Sequence, residues 1–302
     1  GMKVIHIPDT IEINDDIRSL TSVVCHSLSD VPDIIDTWNE GKVADIEGYY
    51  ENAKINRVYV DRVHVKKAFA EYTAAYNADD PKIKLKIDHT YRVAALCERI
   101  AKAAGMCAYD VELAWLSGML HDVGRFEQIK RYNTFSDADS VDHAKFSADL
   151  LFKDGLISTF LNGMVKCTGY KPGALEDRYS SDGVFLYDRL NKSDMEMLEL
   201  AIRCHNMYRI PQGLNRREQA FCNVLRDADK VDIFKVNIDT PLEEIYNTTT
   251  EELMKSDITD EVLEAFDEEH CILKAIRRTP ADTVIGHVSL AYELVYDESV
   301  RI

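Results

Sequence analysis

From residue 61 onward, apolar residues recur at intervals of three and four, which is the spacing of one face of an α-helix. The first such stretch contains Val65, Phe69 and Tyr72. Asp80–Pro81 predicts its end, because proline disfavours a helical residue before it. No strand pattern recurs after residue 61, so the sequence predicts an all-α helical bundle. The same periodicity predicts further helices over residues 87–104, 111–120, 143–152, 195–205, 217–234, 260–276 and 282–296.

Residues 1–60 show a weaker pattern. Isoleucines alternate with other residues between Ile5 and Ile13, around Pro8, and are compatible with short strands. We therefore predict an N-terminal lobe of mixed or uncertain structure and unknown role over residues 1–60, followed by the main domain over residues 61–302. Within that domain, glycines, serines and aspartates between residues 168 and 194 predict a long connection.

The charge balance restricts the class of ligand. The chain of 302 residues has 53 acidic and 36 basic side chains, for a formal net charge of -17. Such a surface repels polyanions, which argues against binding to DNA or RNA polymers. A small anionic substrate remains compatible, because a bound metal ion reverses the electrostatics of a pocket.

The cysteines and the apolar runs indicate the compartment. The seven cysteines are scattered and contain no Cys-x-x-Cys pair, as expected for a reducing environment. No basic segment followed by an apolar stretch opens the sequence, and no apolar run is long enough to span a membrane. We expect a cytoplasmic protein without a membrane partner, and a homo-oligomer is left open.

Polar residues interrupt the apolar faces of five predicted helices. His89 shares its face with Val93 and Ile100, and His143 shares its face with Leu150. The residues with this placement are His89, His121, Asp122, His143, His205 and Asp229.

A shared metal site explains these residues together. An unpaired buried carboxylate or imidazole is costly, so such groups are paired or bind a metal. One histidine on an apolar face is usually a hydrogen-bonded core residue, but five helices that each contribute one to the same core indicate a common ligand. Neutral imidazoles and carboxylates in a helical bundle suit Fe, Mn, Zn, Co or Ni better than Ca or Mg.

The order of these residues resembles that of the HD-domain superfamily of metal-dependent phosphohydrolases. His89, then His121–Asp122, then Asp229 reproduces its H…HD…D pattern, and the resemblance extends from about residue 61 to the C-terminus. The segments that carry it are Leu85–Val93, Gly118–Arg125 and Arg226–Asp232.

By that resemblance, His89, His121, Asp122 and Asp229 hold one metal ion. His143 and His205 lie where binuclear members carry two further histidines, so that they would hold a second ion with Asp122 as the bridge. Arg125 stands where the family often has a lysine, and its guanidinium retains the cation and can bind a phosphate through two donors.

The resemblance implies hydrolysis of a phosphate ester (a phosphomonoester, a phosphodiester or a nucleotide) by metal-activated water, with Asp122 and Arg125 as the catalytic residues. A di-iron oxygenase with the same fold and a non-catalytic regulatory module are the alternatives. Lys130 and Arg131 are either further phosphate-binding cations or a solvated cluster. Cys204 is expected to be a buried structural residue, and Asp227 and Asp232 are expected to orient ligands or face solvent instead of binding metal.

Overall fold

The computed structural model of the chain describes residues 5–6, 23–24, 60–77, 79–161, 190, 192–246 and 248–302. The chain divides into two compact units, one of residues 1–59, 105–107 and 168–188, and one of residues 60–104, 108–167 and 189–302. In the first unit, strand β1 (Ile5–His6) pairs in parallel with strand β2 (Val23–Val24). The predicted strand at Ile5 is therefore present, and Ile13 lies outside the described residues. The domain boundary at residue 60 stays a prediction.

The described part of the second unit is helical, which confirms the predicted all-α class. None of its helices combines the length and the apolar character that crossing a bilayer requires. Short non-α turns lie at Asp149–Lys153 (a π-turn) and at Lys274–Ile276 and Ser289–Glu293 (3₁₀). The α-helices are α1 (Arg62–Thr73), α2 (Pro81–Ala103), α3 (Ala108–Leu120), α4 (Val123–Tyr132), α5 (His143–Ala148), α6 (Ile157–Leu161), α7 (Lys192–Cys204), α8 (Arg216–Asp239), α9 (Leu242–Tyr246), α10 (Thr250–Met254), α11 (Asp260–Asp267), α12 (Pro280–Val288) and α13 (Asp297–Arg301).

Two glycines bring the helices of the core into close contact on either side of His121–Asp122. A Cβ atom at Gly118 of α3 would lie 2.6 Å from the Cα atom of Ala94, so the backbones of α2 and α3 nearly touch. A Cβ atom at Gly124 of α4 would lie 2.8 Å from the backbone nitrogen of Ser147 in α5. Because both positions exclude a side chain, α2 and α5 can approach the His121–Asp122 pair from opposite sides.

Substitution of Gly118 tests this close approach. Gly118→Ala should destabilise the fold by about 1–3 kcal/mol, because the added methyl group meets backbone atoms that cannot move aside. Urea denaturation monitored by circular dichroism measures the change. Ala95→Ser, on the exposed side of α2, is the control and should change stability by less than about 0.5 kcal/mol. An unchanged unfolding midpoint for Gly118→Ala would show that the helices are not in tight contact.

Asp80–Pro81 begins a helix instead of ending one, which corrects the sequence prediction. Helix α1 already ends at Thr73, and α2 starts at Pro81 with the Asp80 side chain accepting a hydrogen bond from the backbone N–H of Lys82 (2.8 Å). Proline fits the first helical turn because the N–H group that it lacks would have no partner there. Helix α2 is therefore longer at its start than predicted, and its end agrees, with Gly105 in the left-handed region (φ 73°).

The C-terminal helices are shorter than predicted. Helix α11 ends at Asp267, where the prediction extended to residue 276, and Glu269 adopts a left-handed conformation (φ 56°) that is incompatible with a continuing helix. Helix α12 ends at Val288 and passes into the 3₁₀ turn. In the predicted connection, residues 168–189 lie outside the described part of the chain, and the last residues belong to α7, which starts at Lys192.

Candidate metal centre

His121 and Asp122 follow the most buried helix of the second unit. Every residue from Leu113 to Leu120 is buried, and His121 and Asp122 are 0% and 2% exposed. Asp122 precedes α4 but makes no capping hydrogen bond to it, so its carboxylate is not used to stabilise the helix. A charged side chain held in this environment needs a cation nearby.

His89 and Asp229 approach His121 from α2 and α8. The Nε2 atoms of His89 and His121 are 3.3 Å apart. The Oδ1 atom of Asp229 lies 3.2 Å from His89 Nε2 and 3.8 Å from His121 Nε2. Two imidazole nitrogens and one carboxylate oxygen thus converge on one point, and these three residues form a group that could hold a metal ion.

His143 and His205 form a second pair on the other side of Asp122. His143 is the first residue of α5, and His205 directly follows the end of α7. Their Nε2 atoms are 3.1 Å apart, and both rings are buried. His121, Asp122 and His205 form another group that could hold a metal ion, so the two pairs of histidines adjoin through Asp122.

Each oxygen of Asp122 faces one of the two histidine pairs. Oδ2 lies 3.5 Å and 3.6 Å from the Nε2 atoms of His89 and His121. Oδ1 lies 3.7 Å and 3.8 Å from those of His143 and His205. Oδ1 is buried and accepts no hydrogen bond within the described residues. A carboxylate oxygen left in this state is costly unless a cation binds it, so the donors present fit a metal ion on this side as well.

The four imidazoles are all held through their other ring nitrogen. His89 Nδ1 lies 2.6 Å from Asp232 Oδ2, and His143 Nδ1 lies 2.6 Å from Asp137 Oδ2. His121 and His205 each place Nδ1 2.7 Å from a backbone oxygen, that of Gly118 and that of Ile202 respectively. An Nδ1–H donor to each acceptor leaves the Nε2 lone pair directed into the centre, which is the arrangement of metal-binding histidines.

The protonation states also suit metal binding. Burial, together with the positive charge of Arg125, lowers the pKa of His143 to about 4, and burial together with His121 lowers that of His205 to about 4. Burial alone would raise the pKa of the Asp122 carboxyl, but Lys86 and the neighbouring histidines outweigh it and hold the pKa well below its ordinary value. At neutral pH His143 and His205 are therefore neutral and Asp122 is ionised, the forms that bind metal.

The pKa of His89 shifts in the opposite direction. Burial and Lys86 lower it, but the carboxylates of Asp229 and Asp232 outweigh them and the net pKa is raised. In the absence of a metal ion, this corner of the centre thus attracts positive charge.

Two cationic side chains adjoin Asp122. Lys86 Nζ donates to Asp122 Oδ2 (2.8 Å), and Arg125 Nε lies 3.8 Å from Asp122 Oδ1. Another nitrogen of the Arg125 guanidinium, Nη1, donates to Gln128, to the backbone oxygen of Phe135 and to Asp137. The predicted catalytic Arg125 is thus beside the centre, and its role stays a prediction.

The structure distinguishes the alternatives left open for the flanking residues. Lys130 and Arg131 are exposed and pair with Glu127, so they form a solvated cluster and do not reach the centre. Asp227 is buried and has a structural role, because its carboxylate accepts hydrogen bonds from the C-terminal segment at Val295, Tyr296 and Ser299, which corrects the prediction that it orients a ligand or faces solvent. Cys204 is buried, with a pKa raised by burial, which fits a structural thiol.

Several residues of the centre were not predicted. Lys86 lies on the charged N-terminal part of α2, and Asp137 lies in a loop without periodicity, so neither stands out in the sequence. Asp232 was predicted either to orient a ligand or to face solvent, and it is buried between His89 and Arg92, whose Nη2 donates to it (2.9 Å).

Comparison with known proteins agrees with this geometry. Residues 87–235 match the family model described as the HD domain. This range contains the His89, His121–Asp122 and Asp229 pattern. No curated protein and no solved structure matches the chain. Residues 87–235 therefore form an HD domain, a domain typical of metal-dependent phosphohydrolases.

Proposed function

We propose that the chain is a phosphohydrolase that cleaves a small phosphate ester with water activated by two divalent transition metal ions. One ion would be held by His89, His121 and Asp229, and the other by His143 and His205, with Asp122 shared between them. The observation that carries this proposal is the division of the two Asp122 oxygens between the two histidine pairs. If Asp122 bound a single ion through Oδ2, its Oδ1 atom would be expected to accept a hydrogen bond. Instead, Oδ1 accepts none from the described residues and lies 3.7 Å from His143 Nε2, which supports a second ion there.

When bound, the ions would lower the pKa of a water molecule towards neutrality and would offset the negative charge on the phosphoryl oxygens. The side chains contribute the rest. His89, His121, Asp122, His143 and His205 are buried away from bulk water, which strengthens each electrostatic interaction in the centre. Lys86 and Arg125 add positive charge at the site where an anionic substrate would bind.

Hydrolysis is tested by elemental analysis of the purified chain together with a panel of phosphate esters. We expect about two transition metal ions per chain and metal-dependent release of phosphate or of a phosphomonoester. The absence of bound metal, or the absence of turnover with every ester after metal loading, would contradict the proposal. Iron content together with oxygen consumption would identify the oxygenase instead, and metal without either activity would identify a regulatory module.

Asp232 and Asp137, which hold the Nδ1 atoms of His89 and His143, should each affect the binding of a different ion. Asp232→Asn should weaken the ion at His89, and Asp137→Asn the ion at His143, each by about 10- to 100-fold in affinity, because the supporting carboxylate makes the imidazole a better ligand. Metal titration of stripped protein measures the two affinities separately. Asp227→Asn is the matched control, since it removes a buried carboxylate of α8 that does not contact the centre. Equal loss of both ions in the two variants would contradict separate binding sites.

The cytoplasmic location and the preference for Fe, Mn, Zn, Co or Ni stay predictions, and a homo-oligomer stays an open alternative.

A further inference from the structure

Lys86 and Arg125 lie on opposite oxygens of Asp122. Lys86 Nζ is 2.8 Å from Oδ2, and Arg125 Nε is 3.8 Å from Oδ1. Both cations also lie 5.6 Å from the centre of the Phe135 ring, measured from Lys86 Nζ and from the guanidinium carbon of Arg125. The two positive groups therefore border one small region beside the candidate metal centre.

Arg125 is fixed and still has an unused donor. Its Nη1 atom donates to Gln128, Phe135 and Asp137, which holds the guanidinium plane in place. Its Nε atom is buried and has no hydrogen-bond partner among the described residues. A buried N–H donor without an acceptor is costly, so this side of the guanidinium is suited to an anionic ligand.

Among the described residues, Lys86 Nζ has one hydrogen-bond acceptor, and that acceptor also faces two histidines. Within the described residues, the hydrogen bond of its Nζ atom goes to Asp122 Oδ2, the oxygen that faces His89 and His121. The Lys86 side chain is only 18% exposed, so its charge is partly removed from water. If Asp122 Oδ2 serves a metal ion, the ammonium group lies next to a like charge, and an anion between them relieves the repulsion.

We propose that Lys86 and Arg125 form a two-cation clamp for a doubly charged phosphate group, and that the substrate is therefore a phosphomonoester. The proposal rests on the proposed function and specifies its substrate class. A phosphomonoester carries a charge close to −2 at pH 7, whereas a phosphodiester carries −1 and offers one fewer charged oxygen. Two cations in addition to the metal ions match the dianion better, and Lys86 acts as a substrate-binding residue.

The experiment compares Lys86→Met and Lys86→Arg with the wild type in the metal-loaded enzyme. The control is Lys84→Met, an exposed lysine on the same helix. For each protein we measure kcat and KM with a phosphomonoester and with its methyl diester, the affinity for inorganic phosphate by calorimetry, and the metal content. Lys86→Met should raise KM and the dissociation constant of phosphate by roughly ten- to hundredfold, the loss expected for one charge-assisted hydrogen bond. Its metal content should change little, Lys86→Arg should recover most of the affinity, and Lys84→Met should resemble the wild type.

Other results would overturn the clamp or separate it from the function. Unchanged phosphate affinity in Lys86→Met, or a loss of metal that accompanies the loss of affinity, would show that Lys86 serves Asp122 and not the substrate. Wild-type hydrolysis of the diester as fast as of the monoester would overturn the substrate class. If the wild type hydrolyses neither ester, the proposed function fails. In that case the calorimetric titration decides the clamp: Lys86-dependent binding of phosphate supports it, and absent or Lys86-independent binding overturns it.

Discussion

Replacing Asp122 with asparagine should remove both metal ions at once and reduce turnover by more than roughly a thousandfold, since the loss of one charge-stabilising group in an active site already costs about 10²- to 10³-fold. The reason is the position of its carboxylate, whose two oxygens face the two histidine pairs. An amide has one oxygen and no charge, so it cannot serve both pairs. Elemental analysis and a phosphate-release assay measure the two effects.

The exposed Asp139 provides a matched control for this substitution. Asp139→Asn changes the net charge by the same amount and should leave metal content and turnover unaltered. An Asp122→Asn variant that retains two ions per chain would show that Asp122 is not the shared ligand, and one that retains turnover after losing metal would exclude the metal-dependent mechanism.

Removal and return of the metal should change thermal stability strongly. In the stripped protein, Asp122 Oδ1 accepts no hydrogen bond from the described residues, and the imidazole Nε2 atoms face one another in two pairs within the core. A ligand present at about a thousand times its dissociation constant stabilises the folded state by about 4 kcal/mol, which raises Tm by roughly 8–16 °C in a unit of this size.

Differential scanning calorimetry of stripped protein with and without Mn²⁺ or Zn²⁺ measures this shift. The Asp122→Asn variant should show a much smaller shift, because its binding site is incomplete. An equal Tm in the presence and absence of every metal tested would contradict a metal centre that is integral to the folded core.

The helices that carry the site were predictable, and their ends were less so. The apolar pattern is evident in α2, α3 and α8, because α2 and α8 bury a set of apolar residues in the core and α3 is buried over most of its length. Proline disfavours a helical residue before it, and on this ground the sequence predicted that a helix ends at Asp80–Pro81. The same dipeptide is equally suited to a helix start, and only the packing of the preceding residues decides between them.

The six candidate ligands stand out in the sequence because each interrupts an apolar face, whereas the residues that support them do not. Asp137 lies in a loop, and its carboxylate contacts His143 Nδ1. Lys86 is one of several lysines at the start of α2. Neither position has a periodic or motif signal. Their roles depend on distances between segments that are far apart in sequence, 36 residues in the case of Lys86 and Asp122.

Diffraction data collected at the absorption edge of the metal bound to the purified chain test the central claim most directly. The account predicts two anomalous peaks, one among His89, His121 and Asp229 and one beside His143 and His205, with Asp122 contacting both. A map without a peak among these side chains, or with the six residues hydrogen-bonded to one another around no metal, would contradict it.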